Sequence, residues 1–315
     1  MNAPIAFPLS CPALRRGAAR LTHLGVIRAA GADAAEFLQN QLTQDVAHMP
    51  VGGTRLAAWC NPKGRMLASF WVHRRAQDEW LLVLSRDLLA RTLKRLAMFV
   101  LRAKCQLSDA TPAWQLHGLL GDAANLEAPS QDPTPAGSEK DQEILKLALP
   151  APDGMARALR LAPADASAPP GDALDEADWL QAEVRGGIAR ITQPVAEAFV
   201  PQMLNYESVG GVDFKKGCYP GQEVVARSQF RGAIKRRAFV GLAEGAAQAG
   251  QEVFSPADPS QPLGLIAQAA AGENGTAVIV SIQIAAAQDG ELRVGAPDGP
   301  RLSGLHLPYP LREDI

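Results

Sequence analysis

The chain changes texture at Arg237, and that change limits it to an architecture with more than one core. Up to that point strand-like runs alternate with helical periodicity. Beyond it, apolar runs at 239–242, 252–255, 264–268, 277–284 and 292–294 follow one another, separated by Gly, Pro and Asp. Short strands at this spacing predict a small all-β barrel or sandwich. A length of 315 residues also exceeds what one ordinary core serves. The fold class expected is therefore α+β, with a separate C-terminal β domain.

Within the first part, residues 21–27 read as a strand and 34–42 as a helix, with Asp33 as its N-cap. Residues 55–60 and 65–74 flank Asn61-Pro62-Lys63-Gly64, whose early proline and late glycine predict a β-hairpin. Strands follow at 80–84, 105–107 and 114–120. Between the first two lies a helix over 86–101, in which Leu88, Leu89, Leu93, Leu96, Ala97 and Val100 recur at helical spacing. Arg91, Lys94 and Arg95 cover its other side. The Ala-, Pro- and Ser-rich stretch that follows predicts loops at 124–137 and 162–172, with short strands at 143–149 and 155–161. Residues 179–190 read as a helix broken at Gly186-Gly187.

Several classes fall away. The net charge of −2 is not that of a general polyanion binder. The four cysteines, Cys11, Cys60, Cys105 and Cys218, form no CxxC pair, so no metal site is expected. His23, His48, His73, His117 and His306 lack ligand spacing. No run approaches the roughly 18 apolar residues of a membrane span, and residues 1–20 lack the apolar core of a secretory signal, so the expected location is cytoplasmic.

The segment that concentrates chemistry is Phe214-Lys215-Lys216-Gly217-Cys218-Tyr219-Pro220-Gly221-Gln222-Glu223, running on to Arg227. Two glycines and a proline make a sharp turn and let backbone N–H groups approach a ligand. A cation two residues away lowers a thiol pKa, which makes Cys218 either a nucleophilic or redox thiol or simply a buried cysteine in a turn. From Lys215 to Arg237 seven basic residues face Glu223 alone. This is either a polyanion-binding stripe or a solvated strand surface. Trp59, Trp71 and Trp80 lie on predicted strands as core residues, with room for one to stack on a flat ligand.

These residues resemble the signature of the YgfZ family, folate-binding proteins linked to iron–sulfur cluster assembly and repair and to the tRNA modification that depends on it. Phe199-Val200-Pro201-Gln202, Asn205, Phe37-Leu38-Gln39, Gln41-Leu42-Thr43, Asp45 and the hairpin Asn61 to Gly64 fit as well. The family is similar in fold to the glycine-cleavage T-protein. The resemblance implies a three-lobed ring with a central folate channel. A discontinuous first α/β lobe, ferredoxin-like, would take residues 1–52 with 112–236, a second lobe of the same kind 53–111, and a C-terminal antiparallel barrel 237–315. It implies tetrahydrofolate or a derivative as cofactor, iron–sulfur client proteins as partners, tRNA reached only through them, and no membrane. Cys218 and Lys216 would act at the channel mouth. Asn61, Lys63, Gln202, Asn205, Tyr219 and Arg227 would contact folate, while Gly217, Gly221, Gln222 and Glu223 would shape the loop. Where the T-protein has paired aspartates after its Asn-x-Lys-Gly turn, this chain has Ala68 and Ser69, neither able to supply a carboxylate. The alternatives are a folate-dependent aminomethyl or methyl transferase with altered chemistry, and an RNA-binding module using residues 215–237.

Overall fold

A computed structural model describes residues 14–126, 144–232 and 234–312. The chain opens with β1 (Gly17–Arg20), β2 (Leu24–Ala30), α1 (Ala34–Gln39), β3 (Thr54–Cys60), β4 (Met66–Ala76), β5 (Glu79–Ser85), α2 (Arg86–Val100) and β6 (Gln106–Asp109). It continues through β7 (Trp114–Leu120), α3 (Ala123–Leu126), β8 (Leu145–Leu149), β9 (Arg157–Pro163), β10 (Ala173–Leu174), α4 (Glu176–Gly186) and α5 (Gln222–Phe230). The last part holds β11 (Arg236–Ala243), β12 (Glu252–Phe254), β13 (Gly264–Gly272), β14 (Gly275–Gln283), α6 (Ile284–Asp289), β15 (Leu292–Val294) and β16 (Arg301–His306). Among the described residues no helix is long and apolar enough to cross a membrane. Cys11 and much of the loop expected at 124–137 lie outside the described residues.

Three sheets result. One has the order β10-β1-β7-β9-β8, the second β3-β4-β5-β2-β6, and β11-β14-β13-β12-β15-β16 close into a barrel. The fold class is the expected one: two mixed α/β bodies and an antiparallel barrel. Alternation along the strands explains how the first two bodies join. Val26, Leu81 and Val83 point to one side and share a core with Leu116, Leu159, Leu161 and Trp179 of the first sheet. Ile27, Leu82 and Leu84 point the other way, toward Leu88, Leu89 and Leu96 of α2. A strand buried on both faces reads as the continuous apolar run seen here. Close packing also needs Gly118, because a Cβ there would run into the Trp179 indole.

The same two-sided burial corrects the expected boundary at residue 52. β2 pairs with β5 over Leu24 to Ala30 and with β6 over Ile27 to Ala30, so it is a strand of the second sheet, while β1 stays with the first. Asp33 stands at the N-cap position of α1, as expected, but its side chain makes no capping bond. Its carboxylate accepts the Lys104 backbone N–H at 2.7 Å, tying the start of α1 to the turn before β6. The strand expected at 277–284 ends at Gln283, where the chain turns into α6. β1 and β16 are short and too weakly patterned for the sequence to announce.

Candidate functional site

The Cys218 segment is assembled from the chain's two ends inward. Thr43 donates its hydroxyl to the Gly211 carbonyl at 2.6 Å, and its own carbonyl accepts from Asp213 N at 2.9 Å. On its other side Thr43 pairs with Ala58 of β3, through Thr43 N to Ala58 O and Ala58 N to Thr43 Oγ1, both 2.9 Å. Residues 42–45 therefore stitch 210–213 to the second sheet. Asp213 then accepts the backbone N–H groups of Lys215 (2.7 Å) and Lys216 (3.2 Å), setting the turn.

Lys216 points inward. Its ammonium donates to the carbonyls of Gln39 and, at 2.6 Å, Leu42, at the end of α1, and lies 5.1 Å from the Tyr219 ring centre. Burial pushes its pKa down to about 8, against the pull of Asp45, Asp213 and the Cys218 sulfur. The side chain is a strut between the loop and α1, not a free cation at a channel mouth. Cys218 is exposed, whereas Cys60 and Cys105 are buried; burial drives the Cys60 thiol up to about 12 and also raises Cys105, where Asp33 adds to it. Among the described residues Cys218 is thus the accessible thiol.

Gly221 joins the segment to the β3–β4 hairpin. It has φ 81° and sits so close that a Cβ would strike the Asn61 carbonyl and lie 2.7 Å from Gly64 Cα. Its openness serves this contact, not a ligand. Gly217 is different: it is exposed and a Cβ there would meet nothing within 4 Å. From Gly221 the chain enters α5, a helix where the sequence shows only an apolar stretch. Gln222 is half-buried and Glu223 exposed.

The residues expected around folate make these contacts within the chain, with Gln202 Oε1 and the Tyr219 hydroxyl left unpaired. Asn61 Oδ1 accepts from Lys63 N (2.9 Å) and Arg65 N (3.1 Å), and its amide donates to Glu197 at 2.9 Å, so it organises the hairpin turn. Gln202 donates to the Val225 carbonyl of α5 at 2.8 Å. Asn205 exchanges two bonds with Ala238 of β11, at 2.9 and 3.2 Å. Tyr219 is buried, with burial raising its pKa well above the ordinary phenol value, while Lys63 and Arg227 are exposed. None of these six lines the cleft or the inner cavity described below. The basic stripe is also divided. Arg237 is buried in an ion pair with Glu207 and Lys216 is pinned, which leaves Lys215, Arg227, Arg231 and Lys235 exposed.

The junction holds a cleft of about 290 Å³ lined by His23, Asp87, Arg190, Thr192 and Gln268 among others. Beside it an inner cavity is lined by Ser69, Trp71, Glu183, Arg190 and Tyr206. Arg190 is shared. Its guanidinium reaches Ser85 Oγ at 2.9 Å and Glu183 at 3.3 Å, and Glu183 also accepts from Gln268 at 3.1 Å. His23 donates Nδ1–H to Glu176 at 2.8 Å, and this bond with those from Thr22 and His23 N–H holds the Glu176 carboxyl low although burial opposes it. Three buried polar atoms of cleft residues lack a hydrogen-bond partner among the described residues: Arg190 Nε, Thr192 Oγ1 and His23 Nε2, which lies 3.9 Å from the Glu183 carboxylate. Of the strand tryptophans, Trp71 is the one at the cavity. Ser69, at one aspartate position, also lines it, with Oγ accepting Ile191 N at 2.9 Å; Ala68 is fully buried. His23 and Glu183 carry no signal in sequence, since their partners Glu176 and Gln268 lie 153 and 85 residues away.

Known proteins bear on this arrangement. Residues 13–127 match the GCVT N-terminal domain. The glycine cleavage system aminomethyltransferase T from Bartonella henselae superposes with a TM-score of 0.67 at 15% identity, covering 94% of this chain and 87% of that one, so the overall fold is shared. The tRNA-modifying protein YgfZ of Photorhabdus laumondii is 28% identical across 98% of this chain and 97% of its own. The YgfZ of Edwardsiella ictaluri is 31% identical over 255 residues, 76% of this chain and 75% of the relative. With that identity over three quarters of both chains, and a shared fold behind it, the chain belongs to the YgfZ family.

Proposed function

We propose that this protein binds tetrahydrofolate in the junction cleft and serves, through Cys218, as an accessory factor for assembly or repair of iron–sulfur clusters in client enzymes, tRNA-modifying ones among them. The observation that carries the reading is a division of labour. The cleft has buried polar atoms left unpaired, and the exposed thiol lies outside it. Buried polar groups are ordinarily satisfied, so His23 Nε2, Arg190 Nε and Thr192 Oγ1 call for a polar ligand. A volume of about 290 Å³ sits at the lower edge of small-molecule sites. Arg86 with the N-terminus of α2 offers a partner for a carboxylate tail, while Trp71 and Glu183 line the adjoining inner cavity of about 20 Å³ and meet the pterin only where that cavity opens. Tetrahydrofolate, when bound, supplies a reduced pterin able to carry a one-carbon unit.

Ser69 in place of an aspartate cannot ionise near neutral pH, which favours binding over aminomethyl transfer. The chemistry assigned to the chain itself is thiol exchange. The Cys218 thiolate attacks a sulfur–sulfur bond of a client persulfide or disulfide. A Cys218–sulfur bond forms as the client bond breaks, and the departing thiolate takes the proton that Cys218 released. Gly217 leaves the space beside the sulfur open for such an approach. Calorimetry with Cys218→Ser should give tetrahydrofolate affinity equal to wild type, while support of iron–sulfur enzyme activity in cells falls to the level of the deletion. Full support by the serine variant would sink the thiol role, and absence of folate binding in both folded proteins would sink the cleft.

A further inference from the structure

α2 carries an anomaly that neither site uses. Its buried side is apolar as expected, but the outward side, at Lys94, Met98, Leu101 and Arg102, is not uniformly charged. Met98 is 68% exposed, Phe99 46% and Leu101 89%. Three of the six large apolar side chains exposed among the described residues thus lie within four positions. Leu101 has φ 38°, a conformation that a leucine avoids and glycine accepts. A leucine that fits its backbone poorly and meets solvent has no folding reason to be there. Around this patch basic residues predominate: Arg91, Lys94, Arg95, Arg102 and Lys104, against Glu197 beside Arg91, the Asp33 carboxylate at the Lys104 backbone, and Asp87 at the opposite end of the helix. Arg91 is paired with Glu197 at 3.0 Å and Arg95 lies over Trp59, while Lys94, Arg102 and Lys104 have no acidic partner among the described residues.

The patch is wired to the Cys218 loop. Phe99 meets Trp59 edge-on, with ring centres 6.5 Å apart. Trp59 bridges to Leu42, whose carbonyl holds Lys216 at 2.6 Å. On the other flank, Arg91 reaches Glu197 and Glu197 reaches Asn61, on which Gly221 rests. The apolar end of α2 and the thiol loop therefore share the platform made by β3 and its hairpin.

We infer that the C-terminal end of α2, Met98, Phe99 and Leu101 within their basic rim, is the docking surface for an acidic amphipathic segment of the protein client whose sulfur Cys218 engages. The claim rests on the client-exchange reading above and adds the partner's chemistry and where it sits. An apolar centre excludes water and supplies affinity, while a predominantly basic rim selects an acidic partner.

The test uses a fluorescein-labelled 18-residue amphipathic helix of Leu and Glu, its Leu/Lys counterpart, and anisotropy at rising salt. Wild type should bind the acidic peptide, less tightly as salt rises, and not the basic one. Phe99→Glu should weaken binding about tenfold or more. Leu101→Gly should do the same while raising the melting temperature, since it relieves the backbone, so misfolding cannot explain its loss. Cys218→Ser should bind as wild type. Equal binding of both peptides, or undiminished binding by both patch variants, overturns the inference. So does a dimer in sedimentation that Leu101→Gly dissolves, because a second copy would then own the face. Tetrahydrofolate calorimetry on the same samples separates the two readings, since a failed cleft leaves the peptide result standing and a failed surface leaves folate binding intact.

Discussion

The rim at Cys218 and the cleft at Arg190 draw on the same pair of strands, β3 and β4, yet their polar groups are used differently. At the rim, most polar side chains hold the chain itself. Asp213, Lys216 and Asn61 hold backbone groups and the Gln202 amide holds α5, which leaves Gln202 Oε1 and the Tyr219 hydroxyl unpaired inside and the Cys218 sulfur exposed. In the cleft, Arg190 and His23 keep buried nitrogens unpaired. A group satisfied by its own backbone fixes a position, whereas one left wanting in a buried place awaits a ligand. The rim is thus a rigid mount for a reagent and the cleft a receptor, and the two can be damaged separately.

The largest expected effect strikes both at once. Arg237 is buried, pairs with Glu207 and also donates to the Gln202 carbonyl at 3.1 Å, while Gln202 holds α5. Arg237→Ala strands the fully buried Glu207 carboxylate, which should cost about 3–5 kcal/mol in urea unfolding. Folate binding and thiol function should then fall together. Retention of either at a temperature where the variant is half unfolded would mean that the two regions do not share this beam. Gly221→Ala should separate them. A Cβ there meets the hairpin backbone at a positive φ, so we expect a loss of at least about 2 kcal/mol and of Cys218-dependent function. Tetrahydrofolate affinity per folded molecule should persist. A variant as stable as wild type would show that the loop does not rest on the hairpin.

Arg190→Met is the converse. It should lower tetrahydrofolate affinity about tenfold or more, with Cys218 reacting with a thiol reagent at the wild-type rate. Unchanged affinity would empty the cleft of its assigned ligand. That this residue escaped sequence reading has a physical cause. The Cys218 signature is contiguous, and the elements that mount it, Phe37 to Asp45 and the 61–64 turn, announce themselves by turn chemistry and periodicity. The cleft is made of single residues, His23, Ser69, Glu183, Arg190 and Gln268, each the ordinary polar residue of its own element. Only the stacking of the two sheets and the barrel brings them together. Gln202 and Asn205, expected at folate, likewise serve as joints between bodies, a role that polarity in sequence does not reveal. The barrel and α2 were legible because periodicity is local; β2 was assigned to the wrong sheet because pairing is not.

The subtlest expectation concerns the rim cation, whose protonation the fold perturbs. Burial brings Lys216 from its ordinary 10.5 down to about 8. Between those values the unfolded chain holds a proton that the folded chain has released, and stability rises with pH wherever the unfolded state binds more protons. Below about pH 8 the folded protein bears the cost of a half-buried ammonium, offset by the Gln39 and Leu42 carbonyls. Lys216→Met removes the titration and the strut together. The difference in unfolding free energy, wild type minus variant, should climb by roughly 1 kcal/mol from pH 8 to 10.5, a figure reduced for solvent screening because the side chain is not fully enclosed. Other groups titrate equally in both proteins and cancel. A flat difference would mean that the carbonyls offset burial in full, and a falling one that they outweigh it. In the second case Lys216 is a charged anchor at every working pH, and the rim holds no proton to give its thiol.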